Sequence, residues 1–351
     1  MSQFAQRLID WHRCHGRHDL PWQEDWRRLR DPYRVWLSEI MLQQTQVATV
    51  VAYYARFLQR FPALSDLAAA ELAEVMPLWS GLGYYARARN LHACAQELAS
   101  SHAGRFPHEP ERIAALPGIG RSTANAIAVF CFGARAPILD GNVKRVLSRF
   151  LALAEHPGTS AGVKRLWSEA ERLMPEGDNA IYIQAQMDLG ATVCTRTQPR
   201  CEACPVADLC VARRDARTAE LPIPRARKAV PEKAVTVLVL RDAGLRILLE
   251  RRPPSGIWGG LLALPELPAG RDVAEFCHAR LGVTLQSVSP ASTFRHAFSH
   301  FRLVMQPLVC TVAPLPGTAE PGLEWIAPEN LAAAALPSPA RKILHAVSAS
   351  P

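Results

Sequence analysis

The chain has 351 residues, 49% of them hydrophobic, and a formal charge of +8. That length exceeds one ordinary domain, and two or three are expected, each able to bury a core. The basic excess argues for an anionic partner, and with no run of about 18 apolar residues a transmembrane helix is not expected.

Residues 1–18 lack the apolar core of a secretory leader. They carry a helical pattern through Phe4, Leu8, Ile9 and Trp11. A soluble, cytoplasmic protein is the expectation. Residues 31–61 read as helices, with Asp31-Pro32 as a start signal. Glu39 sits there among residues that want burial, in Val35-Trp36-Leu37-Ser38-Glu39-Ile40-Met41-Leu42. A carboxylate in apolar surroundings has its pKa raised and becomes a candidate general acid. The plainer alternative is a carboxylate on the polar side of an amphipathic helix. Gln43-Gln44-Thr45-Gln46 then closes the helix, either as a solvated end or as a polar group reaching a base stack.

Gly81-Leu82-Gly83-Tyr84-Tyr85-Ala86-Arg87-Ala88-Arg89-Asn90 combines glycines, aromatics and arginines. Aromatics stack on bases and arginines meet phosphates. A core-facing Tyr pair with a basic outer face fits the same letters.

Leu116-Pro117-Gly118-Ile119-Gly120-Arg121-Ser122-Thr123 reads as a tight glycine turn between two helices. Gly118 and Gly120 can take positive φ without a Cβ clash. A helix over 122–132 would then aim unpaired N–H groups and its positive dipole end outward, which suits a phosphate. Arg121 adds a mobile positive charge. Asp140 follows in Leu139-Asp140-Gly141-Asn142-Val143-Lys144. A backbone clamp with an acid downstream suggests chemistry beside a nucleic-acid backbone. An ordinary helical hairpin with a surface Asp is the alternative.

Helical periodicity continues over 143–153, 160–174 and 179–193, so the first 210 residues read as nearly all helix. Of nine cysteines, Cys14, Cys94, Cys131, Cys277 and Cys310 are scattered and read as packing residues. Cys194, Cys201, Cys204 and Cys210 cluster. Four cysteines so close in a cytosolic chain imply a metal site and not disulfides. Their uneven spacing suits an iron–sulfur cluster better than paired zinc ligands, with zinc kept as the alternative. Arg196 and Arg200, inside this loop, would form a basic finger.

Residues 213–233 read as a basic, Pro-containing linker. Beyond it the pattern turns strand-like over 234–240, 245–250, 259–264, 293–295 and 301–312, with helices over 272–281 and 340–347. An α+β domain follows.

Taken together, these motifs, with Leu20-Pro21-Trp22 and His296-Ala297-Phe298-Ser299-His300, resemble the MutY-type adenine DNA glycosylases of the helix-hairpin-helix superfamily. The match covers nearly the whole chain. It implies two domains: an all-α helix-hairpin-helix glycosylase domain (1–212) with an iron–sulfur loop (194–210), the linker, and a Nudix-like α+β domain (234–351) that recognises the lesion. It implies a [4Fe-4S] cluster on Cys194, Cys201, Cys204 and Cys210, and a monomer that acts on duplex DNA holding adenine opposite 8-oxoguanine or guanine.

The resemblance also assigns roles. Glu39 protonates the flipped adenine, Asp140 stabilises the sugar cation by charge or by transient covalent attachment, and Asn142 orients the pair. Gln44, Thr45, Leu82 and Tyr84 touch or wedge the duplex. Gly118, Gly120, Arg121 and Ser122 form the phosphate clamp. Phe298, Ser299 and His300 read the partner base, and Trp22, Gln23 and Asp188 lie near the adenine pocket. The related endonuclease III-type enzymes carry a Lys nucleophile where this chain has Ser122. That difference points to a hydrolase without a Schiff base, although Lys144 remains a source of a slow side adduct. The Nudix-like helix, Arg271-Asp272-Val273-Ala274-Glu275-Phe276-Cys277-His278, lacks the usual acidic run, so nucleotide hydrolysis is not expected. A lyase for oxidised pyrimidines and a non-catalytic lesion binder are the competing classes.

Overall fold

The computed structural model describes residues 2–225, 230–253, 256–298, 300–315 and 321–348. It divides into two compact units: Met1–Ala69 with Asn90–Arg227, and Ala70–Arg89 with Lys228–Pro351. Ala70–Arg89 therefore groups with the C-terminal residues, although in sequence it lies inside the helical part.

The helices up to residue 225 are α1 (Gln3–His15), α2 (Pro21–Glu24), α3 (Pro32–Leu42), α4 (Val47–Arg60), α5 (Leu64–Ala69), α6 (Leu72–Trp79), α7 (Ala86–Ser101), α8 (Pro110–Ala114), α9 (Arg121–Phe132), α10 (Gly141–Phe150), α11 (Ser160–Leu173), α12 (Asn179–Thr192) and α13 (Val211–Arg214). No strand occurs among the described residues of this stretch. The caps follow the local chemistry. Asp31 accepts from the Tyr33 and Arg34 amides at the start of α3, where Pro32 has no N–H that needs an acceptor. Thr159 does the same for α11. One wide π turn, Asp25–Leu29, joins α2 to α3 and closes on Arg30 at φ 49°. Helix α9 is apolar nearly all round, and every residue from Thr123 to Cys131 is buried, so it forms the centre of the first unit.

In the second unit a mixed sheet contains β1 (Glu232–Arg241), β2 (Ile247–Arg251), β3 (Leu262–Ala263), β4 (Glu266–Leu267), β5 (Val283–Pro290), β6 (Phe294–Ala297), β7 (Arg302–Pro314) and β8 (Leu323–Ile326). The main order is β3-β2-β1-β7-β5. β1 and β7 run parallel from Glu232↔Arg302 to Arg241↔Thr311. Alternate residues of β1 enter opposite cores. Val237 and Val239 pack under α15 (Ser338–Ser348), and Leu238 and Leu240 under α14 (Val273–Leu281). With both faces covered, the strands read as continuous apolar runs.

Several expectations change. The strand expected over 259–264 shrinks to β3, because Gly256, Trp258 and Gly260 all take positive φ and form turns. β5 went unread because it is an exposed edge strand with a bulge at Leu285/Ser287. Cys94, Cys131, Cys277 and Cys310 are buried, but Cys14 is exposed and packs nothing.

Candidate active site and cysteine centre

The hairpin turn holds two glycines for different reasons. Gly118 sits at φ +73°, and a Cβ there would lie 2.5 Å from Asn90 Cβ. No other residue fits. Gly120 is extended, at φ −86°, and serves as the N-cap of α9 with no side-chain cap bond. Its value is therefore an open helix end and not the positive φ expected of it. Arg121 is exposed. Its guanidinium lies 3.9 Å over the Trp167 ring.

Ser122 faces inward along the next turn. Its Oγ accepts from the Leu139 amide at 2.9 Å. Asn125 donates to the Pro137 carbonyl at 2.6 Å. These two bonds fasten the extended segment before α10 onto α9, and so fix where Asp140 stands.

Asp140 is the N-cap of α10. One carboxylate oxygen accepts from the Val143 amide at 2.7 Å. Burial dominates and raises its carboxyl above the usual carboxylate range, while the Val143 amide, Arg145, the Asn142 amide and Lys144 offset part of that rise. Glu39, near the end of α3, lacks such donors. Burial raises its carboxyl from an ordinary 4.5 to about 7, and the negative charge of Asp140 adds to the rise. Glu39 is half-buried, neither on a fully solvated helix face nor sealed from solvent. Burial raises both carboxyl groups, and what distinguishes them is that Asp140 has a helix-end amide and Arg145 to support its ionised form.

Asn142 is held from behind. Arg145 donates to its Oδ1 at 2.8 Å, to the Gly190 carbonyl at 2.7 Å and to the Cys194 carbonyl at 2.8 Å. A Cβ on Gly190 would come 2.6 Å from Asn142 Cβ, so the close passage of α12 requires glycine.

The four clustered cysteines line one small pocket beside α10. Arg149, 2% exposed, crosses its wall. It donates to the Thr195 and Arg196 carbonyls at 2.6 and 3.0 Å, to the Leu221 carbonyl at 2.8 Å and to Cys194 Sγ at 3.3 Å. Burial pushes the Cys204 thiol up to about 12. Thiolates this desolvated need a cation beside them, and the donor set of four sulfurs in a largely apolar wall fits an iron–sulfur cluster. Among the described residues no three His, Cys, Asp or Glu side chains converge on a point that one metal ion fills. The basic finger is reduced: Arg200 turns back to the Thr192 carbonyl at 2.7 Å, leaving Arg196 as the outward arginine.

Other expected site residues differ from their assigned surroundings. Asp188 is fully buried and engaged by the Arg17 backbone and guanidinium and by Gln184. Gln23 is buried, bonding the Arg17 carbonyl at 2.6 Å. Both brace the α1–α2 connection. Trp22 is buried edge-on to Tyr54. Gln44 is exposed at φ 56°, and Thr45 bonds the Gln43 carbonyl. In the second unit Tyr84 is 52% exposed at φ 49°, while Leu82 is buried and presents no outer face. Phe298 stacks on Phe301 at 4.5 Å instead of projecting, and His300 is the exposed member. Ser299 lies outside the described residues. Sequence reading missed Arg145 and Arg149. Their signal was a charge on the apolar-periodic side of α10, which local pattern alone does not interpret.

Residues 37–172 match the HhH-GPD superfamily base excision DNA repair proteins, and 236–346 match the NUDIX domain. An adenine DNA glycosylase of Buchnera aphidicola subsp. Baizongia pistaciae (strain Bp) is 35% identical over 306 residues, 87% of this chain and 85% of the relative. The adenine DNA glycosylase of Homo sapiens is 34% identical over 406 residues, 98% of this chain and 74% of the relative. Among solved structures, a thermostable thymine-DNA glycosylase aligns at 28% identity with a TM-score of 0.54, covering 60% of this chain and 95% of that one. A trapped endonuclease III-DNA covalent intermediate aligns at 22% identity with a TM-score of 0.50, covering 61% and 97%, and shares the fold. Similarity at this level runs through both parts of the sequence, and the chain belongs to the adenine DNA glycosylases, of the helix-hairpin-helix base-excision repair superfamily.

Proposed function

We propose that the chain removes adenine paired with 8-oxoguanine, and more slowly with guanine, from duplex DNA by hydrolysis of the N-glycosidic bond. The observation that carries this reading is the carboxyl pair: Glu39 raised to about 7 near Asp140 capped by an amide.

Depurination needs a better leaving group and a stabilised sugar cation. Adenine first leaves the stack. Glu39, still protonated near neutral pH, delivers its proton to N7, and the glycosidic electron pair departs with the neutral base. Asp140, supported by its helix end, remains the anion beside the oxocarbenium ion. Water adds to the sugar and gives up its proton to the Glu39 carboxylate, which restores the acid. This is the two-carboxylate logic of glycoside hydrolysis with a base as leaving group. Asn142, gripped by Arg145, orients the pair. The open end of α9 at Gly120 and the Gly118 turn hold a phosphate, and Gln44 and Tyr84 enter the duplex. Trp22 supports the adenine side.

A four-iron cluster on Cys194, Cys201, Cys204 and Cys210 belongs to the same reading. Bound there, it would cross-link the loop and balance the thiolate charge against Arg149. Phe298 and His300, with Ser299 between them in sequence, would read the partner base, in a monomer acting on chromosomal DNA.

The test is a strand-cleavage gel, with and without alkali, on adenine:8-oxoguanine and adenine:guanine duplexes. Alkali-dependent nicks that prefer the 8-oxoguanine partner are expected. Nicks without alkali would favour a lyase, and no alkali-labile site at all a binding protein.

A further inference from the structure

The turn that carries Tyr84 is built to be stiff. Gly81 and Gly83 take φ of 104° and 72°, and Tyr84 itself sits at φ 49°, a conformation L side chains rarely adopt. Trp79 Nε1 donates to the Gly83 carbonyl at 3.2 Å. Arg87 donates to the Leu82 and Gly83 carbonyls at 3.3 and 3.2 Å, with its guanidinium 5.5 Å over the Tyr84 ring. A strained residue persists only where its surroundings over-determine it, and here they do.

The turn is also fastened at both ends to the C-terminal residues of its own unit. Before it, Ser80 donates to the Leu336 carbonyl at 3.0 Å and accepts from Arg341 at 3.2 Å. After it, Arg89 donates to the buried Gly259 carbonyl at 2.8 Å. Gly259 follows Trp258, which is also held at positive φ, 56°, between Gly256 and Gly260. The Trp258 ring lies 5.6 Å from Phe298 and 6.1 Å from His296. One short path therefore runs from the Tyr84 turn through Arg89, Gly259 and Trp258 to Phe298.

We propose that Arg89 is a positioning residue for partner-base recognition. Its bond to Gly259 holds the Tyr84 turn in fixed register with the Trp258–Phe298 cluster, so that wedging and reading act as one rigid event. This rests on the reading of Tyr84 as a wedge. The two elements are 214 positions apart in the chain (298 minus 84), yet they share one unit. A wedge and a reader that moved independently would pay separately to order each contact with DNA. Linked in advance, they pay once.

The experiment uses the full chain and single-turnover excision from adenine:8-oxoguanine and adenine:guanine duplexes. Arg89→Met keeps the length of the side chain and removes the donor. It should lower the preference for the 8-oxoguanine partner by roughly fivefold or more, the scale of one lost charge-assisted bond partly transmitted. Arg89→Lys keeps a donor and should recover most of the preference, which a packing role alone would not predict. Arg89→Met combined with Phe298→Ala should cost less than the sum of the two, since both break one linkage. Equal slowing on both duplexes in Arg89→Met, no rescue by Lys, or additive effects in the double variant would each overturn the proposal. Tyr84→Ala separates it from its premise. Wild-type rates in that variant would remove the wedge reading and the proposal together, whereas a slowed Tyr84→Ala beside an unchanged Arg89→Met ratio would remove only the role of Arg89.

Discussion

Glu39→Gln separates the two consequences of a buried acid, because it should destroy activity while stabilising the fold at high pH. The carboxyl has an ordinary value of 4.5 and about 7 in the folded protein. A raised carboxyl is one whose ionised form the folded state disfavours. The unfolded chain therefore loses its proton first, and stability falls as pH rises from 4.5 to 7, then stays low. The gap is about 2.5 pH units, and at about 1.4 kcal/mol each the penalty is at most about 3 kcal/mol. Residual solvent access to the carboxyl brings it nearer 2 kcal/mol. Gln carries no such penalty. Urea unfolding of both proteins at about pH 4.5 and about pH 8 should show the variant gaining about 2 kcal/mol relative to wild type between the two. Excision should be lost at both, since Gln delivers no proton, and wild-type excision should decline as pH passes 7. A stability difference that does not change with pH would mean that Glu39 is not desolvated, and the acid role would fall with it.

Asp140→Asn should still fold and bind duplex, because Asn caps the α10 amide as well as Asp does. Single-turnover excision should drop by about 10²–10³ or more with loss of the anion, and near-normal turnover would point to another stabilising charge. Ser122→Lys should place an amine near the sugar and give borohydride-trapped adduct above the wild-type level. It also removes the acceptor of the Leu139 amide, so a loss of about 1 kcal/mol in unfolding should accompany it. The purified protein should be brown with about four irons per chain. Cys204→Ala should lose iron and weaken duplex binding, and a colourless protein with one zinc would refute the cluster. A chain ending before Glu232 removes the acceptors of Ser80 and Arg89. Measured against both duplexes, it should lose excision rate as well as partner preference. Loss of preference alone would mean that the Tyr84 turn does not need them.

Some features were legible in the sequence because the forces behind them are short-range. Asp31-Pro32 caps a helix by contacts within three residues. Gly118 marks a turn through its own φ, and the clustering of four cysteines between 194 and 210 is visible in the chain itself. The change of hydrophobic period after residue 233 separated the strand-rich part from the helical one. Glu39 was visible as an acid among apolar neighbours, but its pKa near 7 required the neighbours to close around it and Asp140 to lie near.

What only the tertiary structure decided depends on groups far apart in the chain. Ser122 is a fastening for Leu139, Asp188 is a buried anchor for Arg17, and Arg149 reaches the cysteine loop across 45 residues. The Ala70–Arg89 segment reads in sequence as one more helical hairpin of the first domain, yet it packs with Lys228–Pro351. Nothing in the pattern of Ser80 or Arg89 names Leu336 or Gly259 as acceptors. A hydrogen-bond donor carries its need for a partner in its chemistry, but which carbonyl meets it is set by the path of the backbone after the core has formed.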